Sequence, residues 1–257
     1  MTGVLASVQS VDEAGLALAT GVDIIDLKDP HTGALGALPA DVIRAAVARI
    51  AGERTVSATA GDLPMDAMRI AAAVQRVAEL GVDVVKVGLQ DGPELEHCLA
   101  ALGSVAARGV QIVAVFFADR AFDLALVERV ADHALAGIML DTADKRAGTL
   151  RDCVDDGRLA LFVERARVSG LLCGLAGSLR ASDVPALTAL APDYLGFRGA
   201  LCAAGRTGAL DPARVRSICA AVRAQAETSA AMATAGAQRA AHSRASAVAS
   251  IRVAKST

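Results

Sequence analysis

The chain has 257 residues, 54% of them hydrophobic, with 26 basic against 28 acidic side chains and a formal net charge of −2. That length buries a core for one domain plus a tail, and two full domains are not expected. The even charge balance, with one Tyr, five Phe and no Trp to stack on bases, argues against a nucleic-acid partner and leaves a small molecule as the expected one.

The predicted elements alternate from the start. "GVLASV" (3–8) reads as a strand, and a helix over 11–19 follows, opened by Ser10 with Glu13 three residues on, the spacing of a capping box. "DIIDLK" (23–28) is the second strand, and Pro39 sits in the first turn of a helix over 39–50. "RTVSATAG" (54–61) and a helix over 66–80 come next, closed at Gly81, then "VVKVGL" (84–89) and a helix over 93–108, closed at Gly109. Both glycines suit the left-handed turn that ends a helix. "QIVAVFF" (111–117) precedes a helix over 122–134, "GIMLDT" (137–142) one over 150–168, and "SGLLCGLAG" (169–177) one over 182–190, with Ser182 as its N-cap. "YLGFRG" (194–199) and a helix over 211–226 complete the series.

Eight strand–helix units with doubly buried strands predict an α/β fold, a (β/α)8 TIM barrel over 1–225. A doubly wound open sheet is the structural rival, but neither GxGxxG nor GxxxxGK[ST] follows any strand. Residues 226–257 turn to Ala, Ser and Thr with four basic residues, Arg239, Arg244, Arg252 and Lys255, against Glu227 as the sole acid. With few large apolar side chains to dock, a disordered or fraying tail is expected there.

Five widely spaced cysteines with no CxxC pair fit a reducing cytoplasm better than a disulfide framework or zinc site. The amino terminus lacks a basic stretch followed by an apolar one, and no apolar run reaches about 18 residues without a charge, so neither export nor a membrane is expected. Ala-rich helix faces such as 66–80 would serve a homo-oligomer as readily as packing against the barrel.

Strand alternation places Ile24, Asp26 and Lys28 on one face and Ile25 and Leu27 on the other. If the latter meet the helices, both charges face the barrel interior, with Lys28 at the carboxyl end where barrels keep their chemistry. "VVKVGL" carries Lys86 and "GIMLDT" ends in Asp141. Because alternate strands share interior layers, Lys28, Lys86 and Asp141 are expected in one common layer. A lone lysine at a strand end usually snorkels into water, but three ionisable groups at matching ends point to chemistry. Desolvated lysines are the amines that attack carbonyls, with Asp26 and Asp141 as charge partners. Lys145, in the loop after the sixth strand, is a further candidate for the site or a solvated loop residue.

"GLAGS" and "GFRGA" follow strands 7 and 8, the usual phosphate site of this fold. Gly177, Gly199 and Ala200 are expected to bring backbone close to an anion, Ser178 to add a hydroxyl donor and Arg198 a charged fork. Ser57 and Thr59 share one strand face, with Asp62 in the next loop, in an arrangement compatible with polar substrate contacts. His31, His97, His133 and His242 lack metal-ligand spacing, so no metal is expected.

At these residues the chain resembles a known family. "GVDIIDLKDPHTGALGA", "VSATAGDLP", "VDVVKVGL", "MLDTADK", "CGLAGSL" and "LGFRGALC", in that order across about 1–222, are similar to the (5-formylfuran-3-yl)methyl phosphate synthases of methanofuran biosynthesis. The resemblance implies a barrel lyase without cofactor. Such an enzyme condenses two molecules of glyceraldehyde 3-phosphate into a phosphorylated furan aldehyde, releasing phosphate and water. It implies Lys28 as the Schiff-base lysine, Lys86 as the proton-accepting one, and Asp26, Asp141 and Lys145 as further polar site residues. Two other readings fit the residues alone: a different class I aldolase acting on a phosphorylated sugar, and a non-catalytic barrel that binds a phosphometabolite.

Overall fold

β5 (Ile112–Phe117) and β6 (Gly137–Asp141) are buried at every position. Parallel strands must be so when helices cover one face and a barrel interior the other. They belong to a closed barrel of eight parallel strands in chain order, seen in a computed structural model that describes residues 1–144 and 148–225. The others are β1 (Gly3–Val8), β2 (Ile24–Leu27), β3 (Thr55–Thr59), β4 (Val84–Gly88), β7 (Leu172–Leu175) and β8 (Tyr194–Phe197). Each lies inside the run predicted for it, and the TIM barrel is the observed fold. Lys145 and the tail from 226 to 257 lie outside the described residues.

The helices are α1 (Val11–Thr20), α2 (Ala40–Ile50), α3 (Ala67–Ala78), α4 (Leu95–Ala106), α5 (Leu126–Asp132), α6 (Leu150–Cys153), α7 (Asp156–Val168), α8 (Val184–Ala189) and α9 (212–225). The single helix expected over 150–168 is thus two, because Asp155 adopts extended backbone and caps a new start by accepting from Arg158 N. Pro39 stands at the N-cap of α2 rather than inside its first turn. Ser182 is not a cap: it lies in a 3-10 turn (Ala181–Asp183), where Asp183 accepts from Arg180 N instead. Ser10 accepts from Glu13 N as a capping box requires, but the Glu13 carboxylate takes the N–H of Gln9, not of Ser10.

Three aspartates close the amino-terminal end of the barrel. Asp23, Asp83 and Asp193 each precede a strand and accept, at 2.7 Å, the first free N–H of a neighbouring strand, from Val4, Val56 and Cys173. All three aspartates are exposed, so solvent screens these bonds and each contributes about 0.5–1.5 kcal/mol.

The core has two compartments. The larger, between strands and helices, holds Ile25, Leu27, Phe116 and Phe162 at or near zero exposure, each worth about 1.5–3 kcal/mol of burial. The smaller fills the barrel interior with Leu5, Leu35, Val113, Val115, Phe117 and Tyr194. Leu35 arrives from the loop after β2, which folds back over the mouth: Asp29 N donates to Gly36 O, and Leu35 N to the Asp62 carboxylate. With Leu35 plugging the β3–β5 side, the remaining opening lies toward β6, β7, β8 and β1.

Candidate active site

The strand registers fix which interior side chains meet. Asp26 aligns with Ser57, which aligns with Val84, and strands tilted to the barrel axis advance the layer two residues every second strand. The layer mate of Asp26 on β4 is therefore Lys86, two past Val84. Continued through the Lys86–Val113–Gly137 and Met139–Gly174–Tyr194 alignments, the same step adds Met139 and Gly196. One layer above stand Lys28, Gly88, Asp141 and Arg198. This corrects the expected common layer: Lys28 and Asp141 share one, and Lys86 lies in the layer beneath with Asp26. Barrel shear, which strand-by-strand reading lacks, is the cause.

Contacts follow the layers. Lys86 Nζ is 2.9 Å from Asp26 Oδ2, and Lys28 Nζ is 3.9 Å from Asp141 Oδ2, all four side chains being buried. Asp26 is held further by Ser7 Oγ, donating at 2.9 Å, and Ser57 Oγ, at 2.7 Å. Burial by itself would raise the Asp26 carboxyl, but the Lys86 and Lys28 charges and the bonds from Lys86 and Ser57 outweigh it and hold the group below the usual 3.8. Asp141 Oδ1 also accepts from Thr142 N, and Asp119 accepts from Ala143 N and Asp144 N, fixing the turn after β6.

A cavity of about 640 Å³ opens above this floor, lined by Ser7, Lys28, Lys86 and Asp141 at the strand ends. Its other wall is Gly177, Ser178, Gly199 and Ala200, with Arg180, Arg206 and Arg214 beside them. The volume suits a small molecule. Gly177 and Ser178 both have positive φ, 112° and 49°, and a Cβ on Gly177 would stand 2.9 Å from Thr142 Cγ2. Here glycine permits both the turn and the close approach to the β6 loop.

Asp26 does not line the cavity; it acts on Lys86 from below. Arg198 also differs from expectation. Its five N–H groups all meet protein acceptors: Nε donates to Arg206 O, Nη1 to Ser7 O and Glu13 Oε2, and Nη2 to Glu13 Oε1 and Gly208 O. The guanidinium therefore has no donor left for the fork onto substrate, because Glu13 on α1 neutralises it inside the wall. Ser57, Thr59 and Asp62 likewise serve the frame: they bond Asp26, the Gly36 carbonyl and Leu35 N. Sequence reasoning missed Ser7, Glu13, Leu35 and Arg206. The apolar alternation of "GVLASV" hid Ser7, and the i+3 capping pattern assigned Glu13 elsewhere.

Among the described residues no cluster of three or more His, Cys, Asp or Glu is placed to hold a metal ion, and no helix is long and apolar enough to cross a membrane. The five cysteines are free thiols. Burial pushes the Cys173 thiol and the Tyr194 hydroxyl far up, so neither offers a ready anion.

The 4-HFC-P synthase family model matches residues 4–219. The chain is 43% identical over 222 residues, covering 86% of it and 91% of the relative, to the provisionally named (5-formylfuran-3-yl)methyl phosphate synthase of Methylorubrum extorquens. It is 38% identical over 206 residues, covering 76% and 86%, to the (5-formylfuran-3-yl)methyl phosphate synthase of Methanopyrus kandleri. Among solved structures it is similar in fold to 3-hexulose-6-phosphate synthase from Salmonella typhimurium, with a TM-score of 0.64 and 19% identity, covering 87% of this chain and 100% of that one.

Proposed function

The chain belongs to the 4-HFC-P synthase family, and from that premise we propose that it condenses two molecules of glyceraldehyde 3-phosphate into (5-formylfuran-3-yl)methyl phosphate. Atoms balance when one phosphate and two waters leave. The product would enter methanofuran biosynthesis.

Lys28 is the imine-forming amine. It lines the cavity at the carboxyl end of β2, with Asp141 Oδ2 3.9 Å from its Nζ, and so stands where a substrate carbonyl can be reached. Attack on a triose aldehyde and loss of water give an iminium. That electron sink acidifies the adjacent carbon, whose proton passes to Asp141, and the electron pair of that C–H bond expels phosphate from the next carbon. Lys86, paired with Asp26, faces the same cavity and carries protons to and from the oxygens in the later carbon–carbon bond formation, ring closure and dehydration. Lys145 is assigned to the same site by family resemblance. The wall of Gly177, Ser178, Gly199 and Ala200 receives the phosphate.

The observation that carries this reading is the stack of two buried lysine–carboxylate pairs that puts Lys28, Lys86 and Asp141 on one cavity whose opposite wall is glycine-lined backbone and arginine. The test is incubation with glyceraldehyde 3-phosphate, followed by mass spectrometry for a six-carbon monophosphate with furan absorption. Borohydride should trap substrate on Lys28. A reversible aldol product in place of the furan, or a folded protein that never gives an adduct, sinks the proposal.

A further inference from the structure

The loop after β8 is built around a buried ion pair that no substrate contact requires. Glu13 and Arg198 are 7% and 8% exposed, and they join by both carboxylate oxygens and both terminal guanidinium nitrogens. The pair gathers three stretches of chain. Glu13 also accepts from Gln9 N, at 2.9 Å, and Leu210 N, at 3.2 Å, while Arg198 donates to Ser7 O, Arg206 O and Gly208 O. The 206–210 segment is thereby fixed at three points to β1, α1 and the end of β8.

What this hub presents to the cavity is Arg206. Its backbone carbonyl is held by Arg198 Nε at 2.8 Å, and its Nη2 donates to Gly33 O at 2.9 Å in the loop after β2. Fixed at both ends, the guanidinium lines the cavity, and among the described residues its remaining N–H groups meet no protein acceptor. Arg198, by contrast, is fully engaged. We propose that Arg206 is the cation that binds the substrate's phosphate, and that Glu13 and Arg198 are positioning residues that hold it in place. This rests on the reading of the substrate as a phosphorylated metabolite.

Two rival cations line the same cavity: Arg180, and Arg214, which is 4.0 Å from Asp211. Arg214 is held at its backbone by Asp211, but its side chain meets that carboxylate only at 4.0 Å, whereas the Arg206 guanidinium carries a 2.9 Å hydrogen bond to a backbone carbonyl. A pre-positioned planar fork loses less freedom on binding an anion.

The test uses inorganic phosphate binding by calorimetry beside steady-state kinetics, so that it stands apart from the furan assay. Arg206→Gln should raise both the Kd for phosphate and the KM for the triose by about 10- to 100-fold, with kcat within about threefold, the loss of one charge-assisted interaction. Arg206→Lys should recover part of it, keeping the charge without the fork. Glu13→Gln should move KM the same way. Adding Arg206→Gln to it should produce little further loss, since the pair acts through Arg206; an additive double variant overturns the positioning role. Should Glu13→Gln fail to fold, Arg206→Gln and its lysine rescue decide the binding role alone. Wild-type protein with no saturable phosphate binding overturns the inference, as does a loss that follows Arg180→Gln or Arg214→Gln instead. Wild-type protein that binds phosphate but makes no furan product leaves the inference standing and removes the synthase reading.

Discussion

Lys86 Nζ lies 2.9 Å from Asp26 Oδ2 although β3 runs between their strands, and neither side chain is more than 3% exposed. With Ser7 and Ser57 also donating to Asp26, the carboxylate has three protein donors and no need of water. Removing one partner of such a pair strands a buried charge. Asp26→Asn should therefore lower stability by about 3–5 kcal/mol and turnover by about 100-fold or more, the size of a general acid–base contribution. Urea unfolding and steady-state rates check this. A variant as active as wild type would remove Lys86 from the chemistry.

The same carboxylate gives a pH dependence whose sign is fixed. Asp26 titrates below its usual 3.8 in the folded protein despite burial, because Lys86 and Lys28 lower it. The unfolded chain then binds the extra proton between the two values, so stability rises with pH across that window. The contribution is complete above the ordinary carboxylate value and is lost as pH falls through the folded one. Unfolding free energies of wild type and Asp26→Asn, compared from about pH 5 down to about pH 2.5, should converge as the carboxylate protonates. A gap that stays constant over that range contradicts the assignment.

Lys28 and Lys86 should separate cleanly under reduction. Lys28→Gln is expected to abolish the borohydride adduct, whereas Lys86→Gln should still form it while losing about 100-fold or more in turnover, as a proton carrier would. Peptide mass mapping reads both outcomes. An adduct on Lys86 in wild-type protein would exchange the two roles.

Gly174 tests the barrel floor. A Cβ there would fall 2.4 Å from the Tyr194 ring and 2.7 Å from its hydroxyl, and Tyr194 is 5% exposed, with no room to withdraw. Gly174→Ala should cost about 1–3 kcal/mol by overpacking, measured by thermal or urea unfolding, and the Tyr194→Leu background should relieve it. An unchanged midpoint in the single variant would mean that the ring moves freely.

Much of the fold was legible because the signal is local. Strand runs such as "IVAVFF" are apolar on both faces, and only a parallel sheet covered on both sides asks for that. The inward direction of Asp26 and Lys28 was equally legible, since alternation along a strand needs no tertiary information. The split of the predicted 150–168 helix was not, because "CVDDG" reads as helix until Asp155 is seen to cap a second start.

By itself the sequence determined eight strand–helix units, the charged residues at the ends of β2, β4 and β6, and the motifs that carry the family resemblance. Only the tertiary structure decided which charges meet. Shear set Lys86 one layer below Lys28 and gave it to Asp26, and closure of the barrel brought Glu13 to Arg198 across 185 residues of chain. Side-chain direction is a property of one strand, whereas pairing between charges depends on the tilt and stagger of all eight.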